Sequence, residues 1–593
     1  MSKLQRILSI IIALYLLLVL LDRFVLVELL VRRVGVPFLL TLAEALAIIG
    51  VGFAIRGAFA RQWRPEEADL PRDFLLGYPL FGALCFLVGT LNISTWSMSI
   101  ILVVCGIGGL YVVVRRFESR LPVMPNVAGP FAIIAIAIVF LCALIAAQAP
   151  PSSLDELAYH LAVPWTWVKE HRAIDLPLIS HSYFPLGIEA ADLPLLAILG
   201  QIGGGIASHF LHLGAALAAI AVLLRLARGN AFAIAAIVTT PALAVIAGWS
   251  LVDWPLIGIC ALLVLALDDG DATTISMAIA AGLMTKYTFI PFAFVALVVA
   301  RFKRQSDATN AKSGLRLIPL LIALAVGSIF LVRNLLLTAN PLAPFLSAAA
   351  PHVTGYRAAF LSDYVFDQHF IDESLGASLL AICALSAGTL AWILVVVAIV
   401  VFLLAPSSRI LLPFLAIPAA RSLRPTKFMK VLLAIAIVVQ LFLIGFFVDR
   451  SGAFTLLSGA ASDEQFLTKQ RTSFATAQTI DALLPADARA LVVGLNETFW
   501  FARRVRGGGN FDGPRVSRYL ELPTPEALYA RLKSDGITHV AVVAPVPTTS
   551  VPQKLAERET MLTPQAQRIL AQALDRYASN VASRNGATVF TLK

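Results

Sequence analysis

The stretch Pro150-Pro151-Ser152-Ser153-Leu154-Asp155-Glu156-Leu157-Ala158-Tyr159-His160 directly follows an apolar run at about residues 128–147. That run is long enough to cross a bilayer, so it delivers two adjacent carboxylates to a membrane surface. A loop rich in His, Trp and Tyr comes next. Such a concentration of polar groups in so hydrophobic a chain indicates a functional site.

The same residues also fit a purely structural role. Ser153-Leu154-Asp155-Glu156 matches a capping box, with Ser153 as N-cap and Glu156 three residues later. Asp155 would then lie in the first helical turn, where the helix dipole favours a negative charge without any chemistry. The motif alone fits a cap and a site equally well.

Composition defines the class of protein. Of 593 residues, 59% are hydrophobic and 14% are charged, and the mean hydropathy is +0.84, which excludes an ordinary soluble protein. The net charge of +10 reflects Arg and Lys in short loops between apolar runs, so we expect a lipid bilayer as partner and no nucleic acid. The five cysteines lie inside apolar runs without a CxxC pair, which indicates neither disulfides nor a thiolate metal site.

Apolar runs predict a mainly α, polytopic helical membrane protein with about 13 spans. The first run is expected to be retained, because no small-residue cleavage site follows it. Arg-rich loops after the second and fourth runs place the N-terminus in the cytoplasm and the Asp155 loop outside it. The runs lie at about 7–21, 36–55, 74–93, 97–114, 128–147, 205–226, 231–249, 254–268, 274–285, 288–301, 316–336, 376–404 and 428–447.

From about Asp449 the composition becomes that of a small soluble α/β domain outside the cytoplasm. Two buried strands, one amphipathic helix and a closing strand are predicted, at Ala490–Val493, His539–Val543, Pro523–Ser534 and Ala587–Leu592. No strand is predicted before Gly507-Gly508-Gly509, so these glycines indicate a flexible loop and not a dinucleotide site.

Several segments together resemble the GT-C class of membrane glycosyltransferases, in particular the protein-mannosyltransferase and lipid A aminoarabinose-transferase relatives. The resemblance covers about residues 155–345. It is carried by Asp155-Glu156-Leu157-Ala158-Tyr159-His160, His181-Ser182-Tyr183-Phe184-Pro185-Leu186-Gly187, Val252-Asp253, Thr285-Lys286-Tyr287, Arg333-Asn334 and Asn340-Pro341.

The resemblance implies three parts: residues 1–127 with four extra transmembrane helices, a GT-C-like catalytic module at 128–448 with outer loops 148–204 and 337–375, and an extracytoplasmic domain at 449–593. It also implies a multi-pass protein of the bacterial inner membrane with its C-terminal domain in the periplasm. Such enzymes move a sugar from a polyprenyl-phosphate donor to an extracytoplasmic lipid, glycan or protein acceptor, with inversion at the anomeric carbon.

The residues allow specific roles within that reaction. A positioned carboxylate must accept the proton of the acceptor hydroxyl, and Asp155 is the candidate base. Adjacent helical residues point about 100° apart, so Glu156 is either the cap or a group that orients the acceptor. Lys286 and Arg333, at outer ends of apolar runs, are candidates to bind the donor phosphate, although both could instead snorkel to the interface.

Further substrate contacts are expected from the outer polar residues. For Asp253, a sugar or metal contact and an N-cap before Trp254-Pro255 both remain open. A divalent cation, Mg or Mn, is possible as a cofactor, whereas the histidines lack the HxxxH spacing of a zinc site. The expected substrate-binding residues are Tyr159, His160, His181, Tyr183, Asp253 and Arg357.

Two other functions fit parts of the sequence. A membrane transporter could use carboxylates and lysine near span ends as an ion relay, but the charges gather at one face and no inverted repeat is evident. A polysaccharide polymerase or ligase of the cell envelope also remains open.

Overall fold

The computed structural model describes residues 31–60, 63–119, 130–306, 317–345, 417, 420, 427–509, 512–543 and 562–593. The runs predicted at about 7–21 and 376–404, and the candidate Arg357, lie outside these residues.

The described membrane part is helical. Among the described residues, six helices are long and apolar enough to cross a bilayer: Arg33–Phe59, Leu70–Leu91, Thr95–Glu118, Pro130–Ala147, Leu193–Leu226 and Lys430–Arg450. A bent pair, Leu317–Gly327 and Ile329–Thr338, adds a seventh if it is one span. Shorter helices cover Ala231–Val238, Pro241–Ile246, Asp253–Asp269, Ala272–Leu283 and Phe289–Ser306.

Two predicted runs differ from the helices that form. The run at about 231–249 was expected to be one crossing, but it is two short helices that break before Pro241. Proline has no amide hydrogen and disfavours helical geometry in the residue before it, so a new helix begins there. The run expected at 205–226 begins earlier, at Leu193, and Gly200 interrupts it with a φ of 71°.

Close backbone contacts hold the helices together. A Cβ on Gly82 would lie 1.7 Å from the carbonyl oxygen of Gly187, so only glycine permits this approach. Gly187 ends the His181–Gly187 segment singled out in the sequence. The contact therefore fixes that segment against the helix Leu70–Leu91.

The outer segment between Ala147 and Leu193 forms the short helices that its prolines and aromatic residues suggest. A single π-helical turn at Glu156–His160 leads into the helix Ala162–Lys169. A 3-10 turn at Ser180–Tyr183 and a short helix at Gly187–Ala191 follow. Isolated π turns often occur at functional sites.

The C-terminal part is an α/β domain. Its strands are β1 (Arg489–Val493), β2 (Arg504–Arg506), β3 (His539–Val543), β4 (Ala578–Arg584) and β5 (Ala587–Leu592). The order is β2-β1-β3-β5-β4; β2, β1 and β3 are parallel, and β5 pairs antiparallel with β3 and β4. Its helices are Ala453–Leu457, Asp463–Gln470, Thr472–Leu483, Gly513–Leu520, Pro525–Ser534 and Pro564–Tyr577.

The prediction for Gly507-Gly508-Gly509 was wrong on two counts. Strand β2 ends directly before Gly507, and all three glycines are buried. A Cβ on Gly509 would lie 3.2 Å from the carbonyl oxygen of Ala158, so the loop packs tightly on the outer segment. The sequence did not indicate this because β2 has three residues, two of them arginine, and lacks a strand pattern.

The outer segment and the C-terminal domain are joined by hydrogen bonds to one stretch of backbone. Trp165 Nε1 and Lys169 Nζ both donate to the carbonyl oxygen of Phe501, over 3.1 and 2.9 Å. Gln201 Nε2 donates to the carbonyl oxygen of Phe499 over 2.7 Å, and the amide of Phe499 donates to Leu157 over 3.2 Å. The domain therefore lies on the same face of the membrane part as the Asp155 loop.

Candidate active site

The two neighbouring carboxylates occupy different environments. Asp155 is partly exposed and accepts no capping hydrogen bond from the helix backbone. Glu156 is fully buried. As the helical geometry predicts, one carboxylate faces the surface of the outer segment and the other faces the protein interior.

Glu156 joins three segments of the chain. Its Oε1 accepts hydrogen bonds from His209 Nε2 and from the amide of Ser250, both over 2.7 Å, and its Oε2 accepts from the amide of Ser153 over 3.0 Å. The Ser153 bond is the glutamate half of the predicted capping box. Burial acts to raise the pKa of Glu156, but the charge of His209 and these hydrogen bonds outweigh it and lower the pKa.

An aromatic stack lies beside Asp155. The ring of Tyr159 is 4.0 Å from that of His160 and 4.2 Å from that of His181, nearly parallel to the latter. His160 is fixed in turn by a hydrogen bond of 2.9 Å between its Nδ1 and Oε1 of Glu189. Tyr159 is the partly exposed member of the stack, and the two histidines are buried.

Several charged groups affect the pKa of His181. Burial lowers the pKa of His181 to about 3; the charge of Asp155 opposes this, whereas His160, Arg515 and Lys286 reinforce it. His181 is therefore neutral at physiological pH. The hydroxyl of Tyr287, the residue after Lys286, donates to the carbonyl oxygen of Tyr183 over 3.2 Å, so the Lys286 segment meets the His181–Gly187 segment.

Lys286 and Asp253 form an ion pair. Lys286 Nζ lies 3.2 Å from Asp253 Oδ1, and both side chains are largely buried. Asp253 is the first residue of its helix and Val252 is the N-cap, so the N-cap role considered for Asp253 is wrong. The ring of the adjacent Tyr287 lies 5.9 Å from that of Phe184, which in turn lies 4.8 Å from the His181 ring.

Arg333 is enclosed by aromatic rings. Its guanidinium carbon lies 5.7–6.0 Å from the ring centroids of Phe86, Trp167 and Tyr183, and its Nη1 donates to the carbonyl oxygen of Ser182 over 2.8 Å. Cation–π contacts of this kind hold a guanidinium in place. Arg333 thus holds the His181–Gly187 segment in place through Ser182 and Tyr183.

Tyr183 belongs to the same supporting layer. Its hydroxyl donates to Asp175 Oδ1 over 2.8 Å, and burial together with Asp175 raises its pKa. Asn334 Nδ2 donates to the Tyr183 carbonyl oxygen over 2.6 Å. The Arg333-Asn334 motif therefore contacts the His181–Gly187 motif.

The C-terminal domain adds residues that the sequence did not single out. Asp512 accepts hydrogen bonds from the amides of Ser180 and Gly509, over 3.1 and 2.8 Å. Arg515, which is 2% exposed, donates to the Pro177 carbonyl oxygen over 3.1 Å. The contacts to Ser180 and Pro177 each span more than 300 residues of sequence. The tight glycine loop was the one local signal that could have located them.

A bound metal ion was left open by the sequence. Across the described ranges, no group of three or more His, Cys, Asp or Glu side chains is arranged to hold one. The divalent cation therefore stays a prediction from the sequence.

No protein-family model and no curated protein sequence matches the chain. Two crystal structures are similar to it: ArnT from Cupriavidus metallidurans bound to undecaprenyl phosphate, and the same protein in the apo state. Each alignment has 14% identity and a TM-score of 0.41, and covers 78% of this chain and 97% or 96% of the other.

Proposed function

We propose that the chain is an inverting glycosyltransferase of the bacterial inner membrane. It moves a sugar from a polyprenyl-phosphate donor to an extracytoplasmic acceptor, which is a lipid, a glycan or a protein. The observation that carries the proposal is that the Asp155 turn, through Tyr159, and the Lys286 segment, through Tyr287, both contact the His181–Gly187 segment.

Asp155 supplies the base. An acceptor hydroxyl becomes nucleophilic when a carboxylate within hydrogen-bond reach takes its proton. Glu156 is unsuited to this step because three internal donors engage its carboxylate and solvent does not reach it. Asp155 is partly exposed, so an acceptor can approach it.

Lys286 stabilises the leaving group. Transfer of the sugar leaves a polyprenyl phosphate whose added negative charge needs a cation at the edge of the bilayer. Lys286 meets that need, with Asp253 orienting its ammonium. Arg333 was expected to share this role; its enclosure by three rings favours the task of positioning the His181–Gly187 segment.

The aromatic stack forms one side of the same site. Tyr159, the partly exposed ring, is held between His160 and His181 and is the group there that a substrate can contact. His181 remains neutral, so it can exchange hydrogen bonds with sugar hydroxyls without adding a charge.

Purified protein and a polyprenyl-phosphate-linked sugar test the proposal. Wild-type protein should release polyprenyl phosphate, and the product should have the opposite anomeric configuration by NMR. Asp155→Asn should lower the rate about 10²-fold or more at unchanged thermal stability, because the amide cannot accept the proton. Asp575→Asn, at an exposed position of the C-terminal domain, is the matched control. Near-normal turnover by Asp155→Asn would refute the base.

A further inference from the structure

A cavity of about 170 Å³ lies between the outer segment and the C-terminal domain. Thr166 and Asp175 line it from the outer segment. Thr498, Arg506, Tyr519 and Asp535 line it from the domain. A cavity of about 150 Å³ accommodates one benzene molecule, so this one has room for a single small ring.

Thr498 indicates that the cavity is built for a polar occupant. The residue is 2% exposed, and within the described part of the chain its Oγ1 has no hydrogen-bond partner. Leaving a buried hydroxyl unpaired is unfavourable, and valine would fill the same volume without that cost. A ligand hydroxyl would supply the missing partner.

The remaining lining matches a sugar. The Tyr519 hydroxyl donates to Asp535 Oδ2 over 2.6 Å, so a phenol and a carboxylate stand side by side. Leu176 and Leu178 add apolar surface that suits the C–H face of a ring. The two carboxylates, Asp175 and Asp535, outnumber the guanidinium of Arg506, which is itself 3.0 Å from Glu170. An acidic sugar is thereby disfavoured.

We propose that this cavity is a second saccharide site, which binds one uncharged sugar ring. Asp175 connects it to the candidate active site, because the same carboxylate accepts the hydroxyl of Tyr183. We identify the bound ring as part of the acceptor, and this identification rests on the function proposed above. The binding of a sugar in the cavity does not depend on that function.

Calorimetric titration of the purified full-length protein, without donor, tests the site. The probes are glucose, galactose, mannose, N-acetylglucosamine and glucuronate. At least one neutral sugar should bind saturably, and more tightly than glucuronate. Thr498→Val should weaken that binding about tenfold through loss of one hydrogen bond, at equal or higher thermal stability.

Thr476→Val is the control, because that hydroxyl bonds to Thr472 within its own helix. Asp155→Asn should bind the sugar like the wild type, which separates this proposal from the catalytic one. Absence of saturable binding for every neutral sugar, or equal binding by Thr498→Val and wild type, would overturn it.

Discussion

His209 donates a hydrogen bond from Nε2 to Oε1 of Glu156, and its Nδ1 lies 3.1 Å from the carbonyl oxygen of Ala147. Both ring nitrogens of His209 therefore contact oxygen atoms of other segments. The result is a buried His209–Glu156 pair between a membrane helix and the outer segment. It fixes the turn from which Asp155 projects.

Glu156→Gln should therefore act on stability. The glutamine amide offers one acceptor oxygen to three donors, so a buried donor is left unpaired, which costs about 1–3 kcal/mol of unfolding free energy. We expect a clear drop in the thermal unfolding temperature, with turnover per folded molecule reduced less than by Asp155→Asn. The matched control is Glu118→Gln, which loses an exposed pair with Arg115. Equal unfolding temperatures for Glu156→Gln and wild type would contradict the pair.

Kinetic and stability measurements should distinguish the role of Lys286 from that of Arg333. Lys286→Gln should raise the donor KM or lower kcat/KM by about 10- to 10²-fold, because a charge-assisted contact to phosphate is lost, and Lys286→Arg should restore part of it. Arg333→Gln should lower thermal stability more than donor use, since it removes three ring contacts and the Ser182 bond. The control is Arg450→Gln, at an exposed arginine over Phe446. The reverse pattern would assign the phosphate to Arg333.

Much of the fold follows from local sequence patterns. Apolar length predicts the helices Thr95–Glu118 and Pro130–Ala147, and alternation or continuous apolar character predicts β1, β3 and β5. Strand β4, Ala578–Arg584, is largely exposed and polar, so it carries no such pattern. It pairs with β5 across the two-residue turn Asn585-Gly586, and this turn is the local signal for the hairpin.

The candidate site was predictable only in part. Charge placement indicates Asp155 and Lys286, but no local pattern indicates that His209 and Ser250 converge on Glu156. Arg515 and Thr498 belong to a domain that begins almost 300 residues after the Asp155 loop. Their contribution depends on how the two parts dock, a property of the assembled surfaces.

Lys169 should make docking of the C-terminal domain depend on pH. Its Nζ donates to the carbonyl oxygens of Phe501 and Arg503, and burial lowers its pKa to about 7. An unfolded lysine titrates near 10.5, so between pH 7 and 10.5 the unfolded chain binds the extra proton. Folded stability should therefore rise with pH across that window and fall as pH drops toward 7.

Thermal unfolding at pH 7 and pH 9 measures this effect. Lys169→Met should reduce the increase relative to wild type, whereas Lys533→Met, at an exposed lysine of the same charge, should not. An identical increase in Lys169→Met and wild type would show that Lys169 is not the group that titrates.

Labelling should establish which side of the membrane the site faces. The hydrogen bonds to Phe499 and Phe501 require the outer segment and the C-terminal domain to share one side, and the distribution of arginines predicts that this side is outside the cytoplasm. In a cysteine-free background, single cysteines at the exposed positions Arg172 and Ser534 should react with an impermeant maleimide on intact spheroplasts. A cysteine at the exposed Arg115 should react only after permeabilisation. Protection of both outer positions with labelling at Arg115 would invert the topology, and labelling of one outer position without the other would contradict the docked domain.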